Sequence, residues 1–412
     1  MRKVLTILLL MLTVLAPKAR AQQGVDNDLV KAEHAFSLLL ADEADSLLAM
    51  MSPEMVQALS AQDMHGAMAQ VEGPMGAYQD HSQWERRMIG DTEACVSTVS
   101  FERGQLMAVI VFNGDKMTGL RLMPVVPDTT PDFYTLPHDA IATDDTVHTA
   151  PGIALPATVT QSGRTAEPPI VVMVHGSGPL DRDETVMANK TFLDLACQLA
   201  EHGISTLRYD KRTMVYPQTP VSTMDDEVIL DALAAIRLAR TYNNNVFLLG
   251  HSLGAMMAPA IALRADSLLA GIIMMAGPAR DLEQVVSEQL DYLLPPDTPD
   301  SVRNATFDQL RTASPHYLQP QQQVQTAQQL SLPILILQGE RDYQVTMTDY
   351  RLWQQAIGER NGVVMRSYPA LNHLFLEGEG PSTPMEYQRQ SHIPQQVIDD
   401  IAAFVHAQRF AR

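Results

Sequence analysis

The sequence predicts an α/β protein with a mainly parallel β-sheet, preceded by a small α+β domain. Three observations predict this fold class. From about residue 141, apolar runs of strand length alternate with helix-length segments, which is typical of right-handed βαβ units. Residues 250–254 read Gly-His-Ser-Leu-Gly between one such strand and the next helix. Residues 24–125 contain helical patterns followed by short β-type runs.

The chain begins with the pattern of a secretory signal peptide. A positive start at Met1 to Lys3 precedes an apolar run from Val4 to Leu15, and Ala19-Arg20-Ala21 has the small-x-small form of a cleavage site. The run is shorter than the roughly 20 residues that cross a bilayer. We therefore expect residues 1–21 to be removed and the protein to be exported, to the periplasm or outside the cell.

Charge excludes some classes of partner. The formal charge of −19 becomes −23 when the four cations of the leader are removed, and such a surface repels nucleic acid and anionic lipid. No second stretch is long and apolar enough to span a membrane, so we expect no stable membrane insertion. The oligomeric state is not predicted.

Cys95 and Cys197 fall in different predicted domains, and whether they pair stays open. The apolar neighbours of Cys197 predict a buried thiol.

Residues 24–125 form the predicted small domain. Residues 26–90 have helical spacing, and three β-type runs follow at 92–102, 105–112 and 117–123, with a turn signal at Asn113-Gly114-Asp115. This domain contains no acid–base cluster, so packing or shaping of the substrate site is favoured over a polysaccharide or partner module. Four prolines between residues 124 and 140 predict a linker at 126–140.

Residues 141–412 form the predicted catalytic domain. Its predicted strands are 169–174, 204–209, 245–249, 269–275, 333–337 and 363–368. Its predicted helices are 185–202, 225–242, 253–264 and 393–408. The connection from Gly277 to Leu330 is far longer than usual, which predicts a cap at about 278–330. Aromatic and apolar residues of this cap are candidates to line an acyl pocket or to pack the cap: Tyr292, Leu293, Leu294, Phe307 and Tyr317.

Ser252 is the candidate nucleophile. A serine between two glycines, on a tight strand-to-helix turn, has its hydroxyl raised out of the sheet. The N-terminus of the following helix favours the negative charge that develops beside it. A serine hydroxyl needs a general base, and in one common arrangement the acid and then the histidine follow the serine along the chain.

His373 is the preferred base because it follows the strand 363–368 and so lies at the same sheet edge as Ser252. His392, in a polar loop, is the alternative, and His406 is expected on the last helix facing solvent. Asp342 is the preferred acid because it follows the strand 333–337. Glu340 is its alternative and Asp349 a weaker one.

Two backbone N–H groups are the predicted oxyanion hole. One belongs to Leu253, the residue after the nucleophile, and the other to Ser177, in the loop His175-Gly-Ser-Gly-Pro179 after the strand 169–174. His175 and His251 lie beside glycine turns and are expected to order those turns.

Five segments together resemble the α/β-hydrolase superfamily, and more narrowly its secreted bacterial serine carboxylesterases that carry a small N-terminal α+β domain. They are HGSGPLDRDE at 175–184, RYDKR at 208–212, GHSLG at 250–254, LQGERDYQV at 337–345 and LNHLF at 371–375. The resemblance implies a Ser-His-Asp triad on Ser252, His373 and Asp342, an acyl-enzyme, and a small-molecule ester substrate. It leaves the acyl and alcohol groups open, and Thr213 stands where relatives often have glycine.

The sequence thus predicts a serine hydrolase of carboxylic esters of short to medium acyl length. A peptidase or an acyltransferase with the same triad is the alternative, and a non-catalytic envelope binding protein is disfavoured by the intact triad. No metal or organic cofactor is expected, since metal motifs such as HExxH are absent from the sequence.

Overall fold

A computed structural model describes residues 25–58, 67–89, 92–102, 104–125, 133–150, 152–294 and 314–409, with the single residues 65, 304, 307 and 312. The chain divides into two compact units. The first contains the described residues up to 125 together with residues 304 and 307, and the second contains the other described residues from 133. The predicted leader and residues 126–132 of the predicted linker lie outside the described residues.

The first unit combines short helices with an antiparallel sheet. Its helices are α1 Val25–Leu40, α2 Ala44–Met50, α3 Pro53–Ala58 and α4 Ala67–Met75. Its strands are β1 Tyr78–His81, β2 Glu85–Ile89, β3 Thr92–Phe101, β4 Gly104–Asn113 and β5 Lys116–Pro124. The strands pair in the order β1-β3-β4-β5, with β2 also on β3. Phe36 of α1 is fully buried, with its ring 5.7 Å from that of Trp84.

One expectation for this unit is wrong. The sequence predicts helical structure up to about residue 90, but residues 78–81 and 85–89 are strands. Both are short, and β2 is mostly polar and exposed, so neither carries a hydrophobic alternation that would reveal a strand. Their conformation is set by pairing with β3, where Glu85 lies opposite Val96.

The second unit contains the remaining elements. Its strands are β6 Ile141–Ala150, β7 Ile153–Gln161, β8 Ile170–Val174, β9 Thr185–Val186, β10 Asn189–Lys190, β11 Ser205–Tyr209, β12 Val246–His251, β13 Gly271–Met275, β14 Ile334–Gly339 and β15 Val363–Tyr368. Its helices are α5 Thr191–Glu201, α6 Arg212–Val215, α7 Leu230–Tyr242, α8 Leu253–Ala265, α9 Leu282–Leu293, α10 Gln323–Gln329, α11 Met347–Ile357 and α12 Gln395–Arg409. A π-helical turn, Asp225–Ile229, leads into α7, and short 3-10 turns occur at Asp266–Leu268, Pro315–Leu318 and Pro384–Gln388.

An eight-stranded sheet in the order β15-β14-β13-β12-β8-β11-β7-β6 forms the centre of this unit. Neighbouring strands from β15 to β11 pair in parallel, β7 pairs antiparallel with β11, and β6 pairs antiparallel with β7, which confirms the predicted mainly parallel sheet. Helices cover both faces, so β8 is buried throughout: Val172 and Leu233 belong to the core on one face, and Met173 and Phe192 to the core on the other. No helix in the described part of the chain is long and apolar enough to cross a membrane.

The helix predicted at 185–202 begins only at Thr191. Residues 185–190 instead form the small β9–β10 hairpin. Glu184 and Met187 have φ values of 52° and 53°, outside the right-handed helical region, and the Thr185 N–H donates to the Asp181 carboxylate. Local hydrogen bonding therefore delays the helix by about two turns.

Candidate active site

The candidate residues follow three parallel strands of the central sheet. Ser252 follows β12, Asp342 follows β14 by three residues and His373 follows β15 by five. The carboxyl ends of parallel strands lie at one edge of a sheet, where α/β proteins bind ligands.

Ser252 has a backbone conformation that a non-glycine residue rarely adopts, with φ 53° and ψ −115°. Its N–H donates to the Met275 carbonyl at 2.9 Å. The flanking glycines are required by close packing: a Cβ on Gly250 would lie 2.3 Å from the Gly254 carbonyl, and one on Gly254 would lie 2.1 Å from the Val174 oxygen. The tight turn therefore depends on both glycines of the motif.

The structure brings His373 and Asp342 together. His373 Nδ1 lies 2.7 Å from Asp342 Oδ2, and both residues are buried. Asp342 Oδ1 also accepts the N–H groups of Gln344 and Val345, at 2.7 and 2.9 Å, and Gln338 Nε2 donates to Oδ2. A carboxylate at Nδ1 fixes the tautomer whose Nε2 carries the lone pair, which is the form that accepts a proton.

The alternative acids have other partners. Glu340 is exposed and accepts the Ser367 hydroxyl at 2.7 Å. Asp349 is buried, pairs with the Arg280 guanidinium at 2.7 Å and accepts the Ala279 N–H at 2.9 Å. Asp349 therefore holds the first residues of the predicted cap.

The alternative histidines are also engaged elsewhere. His392 Nδ1 lies 2.7 Å from Asp194 Oδ1, and its ring stacks on Phe133 with centroids 4.2 Å apart. His406, on α12, donates from Nε2 to the His202 carbonyl.

Gly176 to Gly178, which we call the oxyanion segment, passes beside the nucleophile. A Cβ built on Gly176 would lie 3.3 Å from the Ser252 Cβ. The side chain of Ser177 is exposed, so only its backbone is a candidate for the site. Leu253, whose N–H is the other predicted donor, is the first residue of α8, and its side chain is buried.

Three side chains hold the oxyanion segment, and the sequence assigned no role to two of them, Glu184 and Lys211. The Gly176 N–H donates to Glu184 Oε1 at 2.8 Å, and the Gly176 carbonyl accepts from Lys211 Nζ at 2.8 Å. The Gly178 N–H donates to the Tyr317 hydroxyl at 3.2 Å. Glu184 and Lys211 lie in the quoted segments 175–184 and 208–212. The signal for them in the sequence was a charged residue in a loop that follows an apolar strand.

His175 and His251 hold turns around the site, which is the role that the sequence predicts. His175 donates from Nε2 to the Asp181 carbonyl, and burial lowers its pKa to about 4. His251 Nδ1 lies 3.1 Å from Glu184 Oε2, and Nε2 donates to the His373 carbonyl at 2.9 Å. Burial lowers the pKa of His251, but the Glu184 carboxylate outweighs it, so that the pKa is raised.

The cap candidates have mixed surroundings. Tyr292 is 45% exposed, stacks on Tyr343 and donates its hydroxyl to the Ser382 carbonyl. It therefore packs the cap against the loop after β14. A role in acyl binding stays a prediction for the half-buried Leu293 and Leu294, and Phe307, also half-buried, belongs to the first unit.

Two family models match the chain. One, described as the alpha/beta hydrolase family, matches residues 171–387, which is more than half of the chain. The other, described as a protein of unknown function, matches residues 32–120.

Individual relatives extend this likeness. Esterase EstD of Thermotoga maritima is 33% identical over 399 residues, covering 89% of this chain and 92% of the relative. An esterase structure from Pyrococcus furiosus has a TM-score of 0.49 at 15% identity and covers 69% of this chain and 96% of its own. A proline iminopeptidase structure from Mycobacterium smegmatis has a TM-score of 0.47 at 17% identity, with 65% and 99% covered.

Proposed function

Because this chain belongs to the α/β hydrolase family and is an esterase, we propose that it cleaves carboxylic esters of short to medium acyl length through a Ser252–His373–Asp342 triad and an acyl-enzyme. The observation that carries the proposal is the 2.7 Å contact between His373 Nδ1 and Asp342 Oδ2, at the sheet edge where Ser252 occupies its strained turn.

The reaction follows from this arrangement. His373 Nε2 takes the proton of Ser252 Oγ as the oxygen attacks the ester carbonyl. The N–H groups of Leu253 and Ser177 donate to the oxyanion of the tetrahedral intermediate. His373 then protonates the leaving alcohol, and the acyl group stays on Ser252. A water molecule, deprotonated by His373, releases the acid and restores the serine, while Asp342 stabilises the imidazolium in both steps.

The test is hydrolysis of p-nitrophenyl esters, from acetyl to long acyl chains, by the mature protein and its Ser252→Ala variant. We expect activity on short and medium chains that falls by about 10⁴-fold or more in the variant. His373→Gln should lose a similar factor, whereas the matched control His392→Gln should retain activity.

Other outcomes separate the alternatives. Labelling of Ser252 by a fluorophosphonate without ester turnover would point to a peptidase or an acyltransferase with the same triad. Neither labelling nor turnover would leave a non-catalytic binding protein and reject the proposal.

We also propose that the protein is exported after cleavage behind Ala21, on the pattern of residues 1–21. Expression of the full chain in a bacterial host should give a product whose N-terminal residue is Gln22, recovered from the periplasm or the medium. A cytosolic product that retains Met1 would contradict this.

A further inference from the structure

We propose that Lys211 is a positioning residue for the oxyanion hole, because its ammonium group holds and polarises the peptide unit that carries the Ser177 N–H. This inference rests on the proposed function, in which that N–H is one of two oxyanion donors.

The peptide unit between Gly176 and Ser177 connects Lys211 to the proposed oxyanion donor. The Gly176 carbonyl and the Ser177 N–H belong to the same planar peptide and point in opposite directions. Lys211 Nζ donates to the Gly176 oxygen at 2.8 Å. A bond to this oxygen fixes the orientation of the plane, and therefore the direction in which the Ser177 N–H points.

The charge of Lys211 also polarises this peptide unit. A cation at the carbonyl oxygen draws electron density from the peptide and makes its N–H a stronger donor, since hydrogen bonds in a chain polarise one another. The effect is largest where water is excluded, and Lys211 is only 3% exposed. The Ser177 N–H thus gains strength where negative charge develops in the transition state.

A buried carboxylate, that of Glu227, compensates the charge of the buried Lys211. Glu227 is 2% exposed, and its Oε1 lies 2.6 Å from Lys211 Nζ. His316 Nε2 lies 2.6 Å from Glu227 Oε2, and the Tyr317 hydroxyl donates to Oε1 at 2.6 Å. Burial alone would raise the pKa of Glu227, but Lys211 and these hydrogen bonds lower it to about 2, so the carboxylate remains charged opposite the ammonium.

The backbone around this pair supports the same role. The Lys211 N–H donates to the Leu180 carbonyl at 3.0 Å, which ties the lysine to the loop that continues the oxyanion segment. Glu227 lies in the π-helical turn Asp225–Ile229, and such turns occur frequently at functional sites. A buried ion pair often contributes little net stability, so its placement against the oxyanion segment needs a reason other than stability.

The experiment compares Lys211→Met with the charge-balanced variant Lys211→Met/Glu227→Gln, because the single change leaves Glu227 buried without its countercharge. The matched control is Arg212→Met/Asp231→Asn. It removes a neighbouring ion pair between the half-buried Arg212 and the buried Asp231, with Nε 2.7 Å from Oδ2, that does not bond the oxyanion segment. The concentration of active sites is measured by fluorophosphonate titration, and kcat is calculated from that concentration. Protein that fails to fold therefore does not lower the value of kcat.

We expect kcat of the charge-balanced variant to fall about 10- to 100-fold, less than the 10²- to 10³-fold that loss of an oxyanion donor costs, with KM within about twofold. The Ki of a trifluoromethyl ketone of matching acyl length, which forms a tetrahedral oxyanion on Ser252, should rise by the same factor as kcat/KM falls. The Arg212→Met/Asp231→Asn control should change neither.

Two results would overturn the inference: an unchanged kcat in the charge-balanced variant, or a lower kcat with an unchanged ketone Ki. Failure of the proposed function looks different, since the wild-type protein would then lack Ser252-dependent turnover and ketone inhibition altogether.

Discussion

Glu184 Oε2 lies 3.1 Å from His251 Nδ1, and both side chains are buried. Each partner also holds a different part of the site: Glu184 Oε1 accepts the Gly176 N–H, and His251 donates to the His373 carbonyl. One ion pair therefore links the oxyanion segment to the loop that carries the candidate base.

This pair should give stability that depends on pH. Burial raises the pKa of Glu184, but His251 lowers it by more, so the pKa lies below its usual 4.5. The contribution of Glu184 to stability is therefore lost as pH falls through this lowered pKa. The pKa of His251 is raised above 6.5, so its contribution is complete below 6.5 and lost as pH rises through the raised pKa.

We therefore expect the difference in free energy of unfolding between wild type and His251→Gln/Glu184→Gln to be greatest between pH 4.5 and 6.5. Urea titrations at pH 3, 5.5 and 9 measure it, and other titrating groups cancel in the difference. The same difference at all three values would show that the pair is not ionised in the folded state.

Asp342→Asn should lower kcat by about 10⁴-fold, because an amide that accepts the backbone N–H groups presents its NH₂ to His373 and selects the wrong tautomer. Glu340→Gln is the matched control, two residues away, exposed and bonded to Ser367. It should change kcat by less than about twofold. Equal losses in the two variants would remove Asp342 from the triad.

Gly254→Ala should destabilise the second unit by about 1–3 kcal/mol or more. The new Cβ would lie 2.1 Å from the backbone oxygen of Val174, and relieving this clash requires the strand or the helix to shift. Gly119→Ala in the first unit is the control, since its Cβ would meet nothing closer than 3.7 Å. Thermal unfolding followed by calorimetry should show no more than about 0.5 kcal/mol there. A Gly254→Ala variant as stable as wild type would contradict the packing described.

The two cysteines should be unreactive in the folded protein. Both thiols are free and buried, and burial raises the pKa of Cys95 to about 11 and that of Cys197 to about 12. Ellman's reagent at pH 8 should therefore detect no thiol in the native chain and two in denaturant. Detection of none after denaturation would mean that the two thiols have formed a disulfide.

The sequence predicted most of the second unit because its strands are fully buried and read as unbroken apolar runs. Residues 170–174 are an example, since every side chain of β8 is buried. It failed where pairing or local polar contacts decide the conformation. Glu85–Ile89 forms a strand only through β3, and the Asp181 carboxylate bonded to Thr185 delays α5.

The candidate site also contains positions that the sequence predicted and positions that it did not. It was possible to predict that Ser252, Asp342 and His373 lie at one sheet edge, because each stands in a recognisable motif at or shortly after the end of a strand. Lys211 and Glu227 were not predictable as a pair, because they come from different elements and a charged residue in sequence gives no sign of burial. Only the folded chain shows that both lie within hydrogen-bonding distance behind Gly176.

Asp349 holds the start of the predicted cap through the Ala279 N–H and the Arg280 guanidinium, and Trp353 Nε1 donates to the Gly277 carbonyl at 2.8 Å. This attachment follows β13, a strand that supplies none of the candidate catalytic side chains. A second attachment lies further along the same insertion, where Tyr317 accepts the Gly178 N–H and donates to Glu227. A replacement of this insertion that leaves the chemistry of the sheet edge intact must therefore keep both attachments, whereas the residues between them are free of this constraint.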